Sequence, residues 1–534
     1  MYIATVPNRK SPPAILLRES YRENGKVKTR TVANLTHWAP QRIEALRKAL
    51  KGEFDGMDGE PVSGEIFGVL FALKQLADQV GMTRVLGPSE EGRLALFLVL
   101  ARIAHGGSRL SAVRWAEQHA VSDVLGLGEF DENDLYAALD WLEGEQTRIE
   151  KRLYEAYVQR TGEPPAIVLY DVTSSYFEGE HNELADYGYN RDGKKGKKQI
   201  VIGLLTGADG EPLAVRVFEG NTADPSTVGE QIELLKQQFG VSEVVFIGDR
   251  GMIKSKAKEA LGALGWRYIS ALTKQQIRAL IKRGVLQPDL FDQDIGEVAQ
   301  EGKRLILRRN ESVQRREGAR RADKLKRLEA LIAERNAFVS ESTRADPAAG
   351  LRQLEQWVKR YKLHGFVTLS LVQRQIRCEI DQEQMDDVAL LDGCYVLETT
   401  VPAEQMDTQT VDGRYRDLQN VERNFKTIKT DFLEVRPIYL RNAKRTKAHV
   451  FVAMMALKIT RLFEALLHNA FGTTDDDPNA VTHEDALQSL ARLTYLIYDV
   501  KGACYARLIQ PDANQRALLD ALGIHFPRQS AKAL

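Results

Sequence analysis

Asp171 follows the apolar run Ile167-Val168-Leu169-Tyr170, and Asp249 follows Val245-Phe246-Ile247-Gly248. Each reads as a carboxylate at a strand end, and in a sheet where the fourth strand lies beside the first the two emerge from neighbouring central strands. A third acid, Glu422, sits on a helix with two faces. Leu418, Val421, Phe425 and Ile428 form a core stripe, while Tyr415, Glu422 and Lys429 stand seven apart. Seven steps of about 100° return to within roughly 20° of the start, so these three share a row. A phenol, a carboxylate and an ammonium in line suit a bound phosphodiester, with Glu422 on a metal ion and Tyr415 and Lys429 on phosphate oxygens. Turn residues and a solvated helix face account for the same side chains taken singly.

Divalent ions held by carboxylates about 3.5–4 Å apart serve in-line phosphoryl transfer, one activating the attacking oxygen and one stabilising the leaving oxygen. Oxygen ligands without a His/Cys cluster favour Mg2+ or Mn2+, two ions to the site, over zinc. Cys378, Cys394 and Cys504 are too scattered for a disulfide framework or a metal cluster and read as reduced thiols of a cytosolic protein. His449 has no partner at ligand spacing and reads as a packing or capping residue.

The elements that must position these groups follow from the hydropathy pattern. Ala166 to Phe177, Gln199 to Thr206 and Pro212 to Glu219 predict an antiparallel meander. A helix capped by Asp224 with Pro225 in its first turn follows, then a short strand at 244–247, a helix from Lys254 to Leu264 and a strand from Trp266 to Ala271. That order predicts a mixed sheet covered by helices. Residues 274–394 interrupt it with a strand at Arg304 to Arg309 that looks isolated, a basic helix and further strands, and Cys394 to Thr400 rejoins the sheet. Before the core, residues 14–35 read as a hairpin around Glu23-Asn24-Gly25, and 65–152 as helices. His105-Gly106-Gly107-Ser108 between two of them has the length of a helix-turn-helix linker, with a plain helical hairpin the favoured reading. The last hundred residues read as helical, with an acidic loop at Asp475, Asp476 and Asp477.

The chain has 534 residues, 43% hydrophobic and 28% charged, which predicts several globular domains and excludes disordered, collagenous and disulfide-scaffold classes. No apolar run is long enough for a membrane span, and the first ten residues lack a charged stretch followed by an apolar core, so an unexported protein is expected. Its 74 basic and 74 acidic residues cancel, but in blocks. Segments 1–50, 303–336 and 415–447 carry formal charges of +7, +7 and +5, against −4, −8 and −5 over 51–100, 373–413 and 469–490. Neutrality in sum therefore leaves a nucleic-acid partner open. Arg191, Lys194, Lys195, Lys197 and Lys198 form one further basic loop, between the first two strands of the core.

The runs Tyr170 to Phe177, Gly220 to Asp224, Gly248 to Met252 and Tyr415 to Lys429 together resemble the DDE transposases of bacterial insertion sequences. The similarity is greatest to the insertion-sequence-4-like group, with its Y-x2-R-x3-E-x6-K signature, and covers about residues 160–460. Leu418 stands where that signature has Arg. The resemblance implies an RNase H-like α/β core, a mixed sheet interrupted by a β-containing insertion, with helical N- and C-terminal regions. It implies that Asp171, Asp249 and Glu422 are catalytic and hold the metal ions, with Tyr415 and Lys429 on the signature helix. Arg423, Lys194, Lys195, Lys197 and Lys198 join those two as expected DNA contacts.

The expected organisation is a basic hairpin region at 1–55, a helical region at 56–160 suited to DNA binding, and a catalytic domain at 161–273 plus 395–435. An insertion at 274–394 and a C-terminal region at 436–534 complete it. The expected function is cleavage and joining of double-stranded DNA at the terminal inverted repeats of an element, by a homodimer in a synaptic complex, in the cytoplasm and without a membrane partner. Two rivals share the scaffold: a nuclease that cuts without joining, and a DNA-binding protein without catalysis.

Overall fold

The computed structural model describes the whole chain except residues 9–11, 24–25, 52–60, 180, 343, 430–432, 434, 436–437, 474–476, 478–479, 501–502, 528–530 and 534. The expected turn at Asn24-Gly25 and the acidic residues Asp475 and Asp476 lie outside the described residues. Two compact units are present. One comprises Met1–Tyr157, Thr427–Val435 and Leu440–Leu534, the other Val158–Lys426 and Arg436–Tyr439.

The second unit holds the three acids. Its strands β1 (Ile167–Tyr176), β2 (Gln199–Gly207) and β3 (Pro212–Phe218) form the predicted antiparallel meander. Helix α1 (Asp224–Glu233), β4 (Val245–Gly248), α2 (Ser255–Ala263) and β5 (Arg267–Ala271) follow, with β4 parallel to both β1 and β5. All nine residues of β2 are buried, as are Val168, Leu169 and Tyr170 of β1, which is why these strands read as unbroken apolar runs. Asp224 is not the cap of α1 as expected. Ala223 occupies that position, and the Asp224 carboxylate is taken by the Arg191 guanidinium instead.

The interrupting segment adds to this sheet. After α3 (Lys274–Lys282), whose N-terminus is closed by a Thr273/Gln276 capping box, come β6 (Gly296–Gln300) and β7 (Lys303–Arg309). The strand that looked isolated is β7, and it pairs on both sides: with β6 and with β10 (Cys394–Thr399), which in turn pairs with β5. Leu305, Ile306 and Leu307 are fully buried there, and an unpaired strand could not cover them. The eight strands run β6-β7-β10-β5-β4-β1-β2-β3. Between β7 and β10, α4 (Glu311–Glu341), α5 (Pro347–Arg360) and the hairpin β8 (Val367–Val372) and β9 (Gln375–Ile380) share a core of Leu328, Ile332, Leu354, Val358 and Phe366. After β10 come α6 (Thr408–Arg416) and α7 (Leu418–Lys429).

In the first unit, strands Tyr2–Val6, Ala14–Glu23 and Lys26–Asn34 form an antiparallel sheet that includes the predicted hairpin. The helix Ala443–Phe471 is buried along most of its length and packs on Glu90–Ala104. His449 lies inside, its ring 3.0 Å from the Arg109 guanidinium, and burial holds its pKa well below the ordinary value. This agrees with a packing role. The regions read as wholly helical are not. Pro61–Ile66 pairs with Thr494–Val500, which pairs with Ala503–Leu508. Among the described residues no single helix is long and apolar enough to cross a membrane.

Candidate carboxylate site

The parallel register of β1 and β4 runs from Ile167↔Val245 to Tyr170↔Gly248 and stops there. Asp171 and Asp249 are the next residues on each strand, so the topology sets two carboxylates side by side where the parallel ladder ends. Asp171 is not at its strand's end, however: β1 continues to Tyr176, with Asp171 opposite Leu204 of β2. Beyond β4 the chain turns at Asp249-Arg250-Gly251, where Gly251 takes φ +74°, a conformation that suits glycine.

Glu422 comes from α7. The expected single helix from Tyr415 to Lys429 is interrupted at Asp417, so Tyr415 belongs to α6 and Glu422 to α7. The core stripe is as expected: Val421 and Ile428 are fully buried and Leu418 and Phe425 nearly so. Two residues that sequence reasoning missed hold α7 in place. Asn424, buried, donates to the Gly210 carbonyl at 2.7 Å, and Asn420 donates to the Ala208 carbonyl at 3.2 Å. Both carbonyls lie in the β2–β3 turn, where Gly210 has φ +82° and a side chain would meet Asn420 Cβ at 2.9 Å. The signal was present, since an Asn on the apolar side of an amphipathic helix needs a buried partner. Asn424→Ala strands that carbonyl and is expected to cost about 1–3 kcal/mol. The check is a denaturant melt, in which the midpoint should fall at unchanged slope.

Asp171, Asp249, Glu422 and Tyr415 line one cavity of about 470 Å³, with Arg250, Lys274, Asn310, Val313, Glu317, Tyr395, Arg416 and Leu418 among its other walls. Asp171 is half-buried, whereas Asp249 and Glu422 are exposed. Burial, with the charges of Asp249 and Glu422, pushes the Asp171 carboxyl up to about 7 against the pull of the Val172 N–H and Arg191. The Tyr415 hydroxyl donates to Asp249 Oδ1 at 3.1 Å, and burial followed by that carboxylate's charge raises the phenol. Tyr415 thus engages a carboxylate here rather than standing free for phosphate. Across the cavity Lys274 bonds Glu317 at 3.0 Å, and the Gly393 N–H donates to the same carboxylate at 2.9 Å. Burial works to raise Glu317, but the Gly393 N–H, Lys274 and Arg250 together hold it below its ordinary range.

The three acids line one cavity, yet among the described residues no three His, Cys, Asp or Glu side chains are gathered as a ready metal-holding group. Of the arginines near the position of Leu418, Arg416 lines the cavity and Arg423 does not. Nor do the four lysines of the β1–β2 loop. Lys197 pairs with Glu178, Lys194 and Lys198 lie over the rings of Tyr176 and Tyr187, and Lys195 is exposed. Lys429 ends α7 and falls in the first unit.

A mixed sheet sets two carboxylates in register beside a helix-borne third, and the family comparison places the chain in a class of DNA-processing enzymes. The model described as Transposase DDE domain matches residues 162–459, more than half of the chain, and the protein belongs to that family. It is a DNA transposase, an enzyme that cleaves and transfers DNA strands. Residues 3–61 match a second model, IS1634 family transposase, N-terminal domain. No curated relative matches the sequence. Among solved structures, the chain is 8% identical to piggyBac transposase in a synaptic complex with hairpin DNA, at a TM-score of 0.36, covering 79% of this chain and 78% of that one. It is 12% identical to Mos1 transposase in a paired-end complex with the left transposon end, at a TM-score of 0.15, covering 34% of this chain and 58% of that one.

Proposed function

We propose that this transposase belongs to the insertion-sequence-4-like group, that its core is RNase H-like, and that Asp171, Asp249 and Glu422 are its catalytic carboxylates. The observation that carries this reading is the register of β1 and β4, which ends at Tyr170↔Gly248 and leaves Asp171 and Asp249 adjacent on a cavity that Glu422 also lines. The strand order β3-β2-β1-β4-β5 supports the core assignment.

The donor set is all oxygen, and Asp171 is pushed up partly by its acidic neighbours. Both features fit a hard divalent cation. Asp171, Asp249 and Glu422 would hold Mg2+ or Mn2+, two ions to the site, which when bound supply an activated attacking oxygen and neutralise charge on the leaving one. Tyr415, through its bond to Asp249, fixes that carboxylate's orientation, and Arg250 brings positive charge to the wall where a phosphate would lie. In the first step water adds to phosphorus as the P–O3′ bond breaks, and the departing oxygen takes a proton to become a 3′-hydroxyl. In the second that hydroxyl adds to a target phosphorus and a target 3′-oxygen leaves. No covalent enzyme intermediate is required.

The substrate of this reading is duplex DNA at the element's terminal inverted repeats, held in the cytoplasm by two copies of the chain. The catalytic domain is 161–273 plus 395–435 and the insertion is 274–394. The regions at 1–55, 56–160 and 436–534 flank them, with 56–160 reading DNA. Lys194, Lys195, Lys197, Lys198, Arg423 and Lys429 are its backbone contacts. The test is incubation of the purified chain with a duplex containing DNA that flanks its coding region, in Mg2+ or in chelator. Mg2+-dependent release of a 3′-hydroxyl at the element end, then its joining to a target plasmid, is expected. Cutting without joining would favour the nuclease alternative, and no cutting in Mg2+ would refute the catalytic reading.

A further inference from the structure

The basic helix α4 sorts its cations into two groups. Around it, most of the neighbouring cations are consumed internally: Arg304 by Glu297, Arg308 by Asp412, Arg309 by Asp292 and Arg321 by Asp392. Lys324 reaches the Tyr361 carbonyl and Arg335 that of Asp346. Arg316, Arg320 and Arg327 are exposed, and no hydrogen bond or ion pair engages them among the described residues. At about 100° per residue these three fall within an arc of roughly 40°. That arc lies about 60° around the helix from Val313 and Glu317, which line the carboxylate cavity, and well away from the buried side at Leu328, Ile332 and Val339. Asp323 stands among them, and Glu334 closes the row two turns further on.

We infer that Arg316, Arg320 and Arg327 form a track for the backbone of duplex DNA leading away from the carboxylate cavity. The inference rests on the strand-cleaving reading of that cavity. The carboxylates on the row are Asp323 within it and Glu334 beyond its end, while the guanidinium groups of Arg321 and Arg335 on the same helix are already committed. From Arg316 to Arg327 the helix rises about 16 Å at 1.5 Å per residue. At about 3.4 Å per phosphate on each strand, that length follows roughly five phosphates. Continuity with the cavity gives the row its direction, since the first turns of α4 supply both the wall at Val313 and Glu317 and the row itself. The side chains contact phosphates rather than bases, so the track holds DNA of any sequence.

The experiment measures binding of the full chain to a fluorescent mixed-sequence duplex as a function of salt. Each phosphate contact contributes about 0.9 to the slope of log K against log salt, so the variant with Arg316, Arg320 and Arg327 all changed to Ala should lose about 2.7 from the wild-type slope. Between about 50 and 200 mM salt, its affinity should then fall about 40-fold less than that of the wild type. The comparison variant, Arg315→Ala with Lys326→Ala, removes exposed cations about 110° around α4 from the row, on the side away from the cavity, and should keep the wild-type slope. Alanine preserves the helix, which circular dichroism verifies. An unchanged slope in the triple variant, or an equal loss in the comparison variant, overturns the track. If wild-type Mg2+-dependent cutting persists while the slope is unchanged, the track fails and the cavity reading stands. If Asp171→Asn cuts like the wild type, the cavity reading fails and takes the track with it.

Discussion

Asp171→Asn is expected to lower strand cleavage by about 1,000-fold or more while leaving DNA binding measurable. The substitution keeps the shape of a half-buried side chain in β1 and removes only its charge. If that carboxylate holds an ion that offsets several kcal/mol of developing charge, a loss of about 4 kcal/mol is about three decades in rate. Stability separates this from unfolding. The Asp171 carboxyl is raised to about 7 in the folded chain, above its value in the unfolded one, so its favourable contribution is complete below about pH 4. It is lost as pH rises through about 7, where folding must keep a poorly solvated charge. The Asn variant should therefore melt above the wild type at pH 8 without metal, and lose that advantage at pH 4. A rate within a few fold of wild type, with the melting difference present, would remove Asp171 from the chemistry.

Asp249→Asn and Glu422→Gln should fail in the same assay for the same reason, although both carboxylates are exposed. The contrast between a half-buried and two exposed acids is a property of the fold rather than of the residue type.

How much of this was legible in the sequence depends on how far apart the interacting residues lie. The apolar runs before Asp171 and Asp249 and the stripe at Leu418, Val421, Phe425 and Ile428 are local patterns, and the strands and helix they predict are present. The break at Asp417 was not visible because the backbone there stays near helical values, with φ −59° and ψ −16°. The pairing of β7 with β10 joins residues some 90 positions apart, and Pro61–Ile66 finds its partner more than 400 residues later. Neither partner can be read from a window of local hydropathy. The strand at Thr494–Val500 did carry a local signal, a β-branched and aromatic run, but lay in a stretch dominated by helices. At the site, residue types were legible and their states were not. The raised Asp171 carboxyl and the Tyr415 bond to Asp249 arise from burial and from approach across the fold.

Mg2+ is expected to raise the melting temperature at pH 8.5 and to leave it nearly unchanged at pH 5.5. An ion taking Asp171 as a ligand must displace the proton that burial and the neighbouring acids retain up to about pH 7. With one proton released per site, apparent affinity falls about tenfold for each pH unit below that value and levels off above it. Stabilisation follows the logarithm of ligand over dissociation constant, so the roughly 1.5 units between pH 7 and pH 5.5 reduce it by about 2 kcal/mol at most and to nothing where affinity is modest. Chelator should reverse the shift. Asp171→Asn should show little shift at either pH, because the carboxylate whose deprotonation drives the pH dependence is gone. A Mg2+ shift of equal size at both pH values would mean that the ion binds without Asp171, and one that survives in the Asn variant would mean the same. Both outcomes would move the metal to Asp249 and Glu422 alone, and the side-by-side register of β1 and β4 would then have no part in holding it.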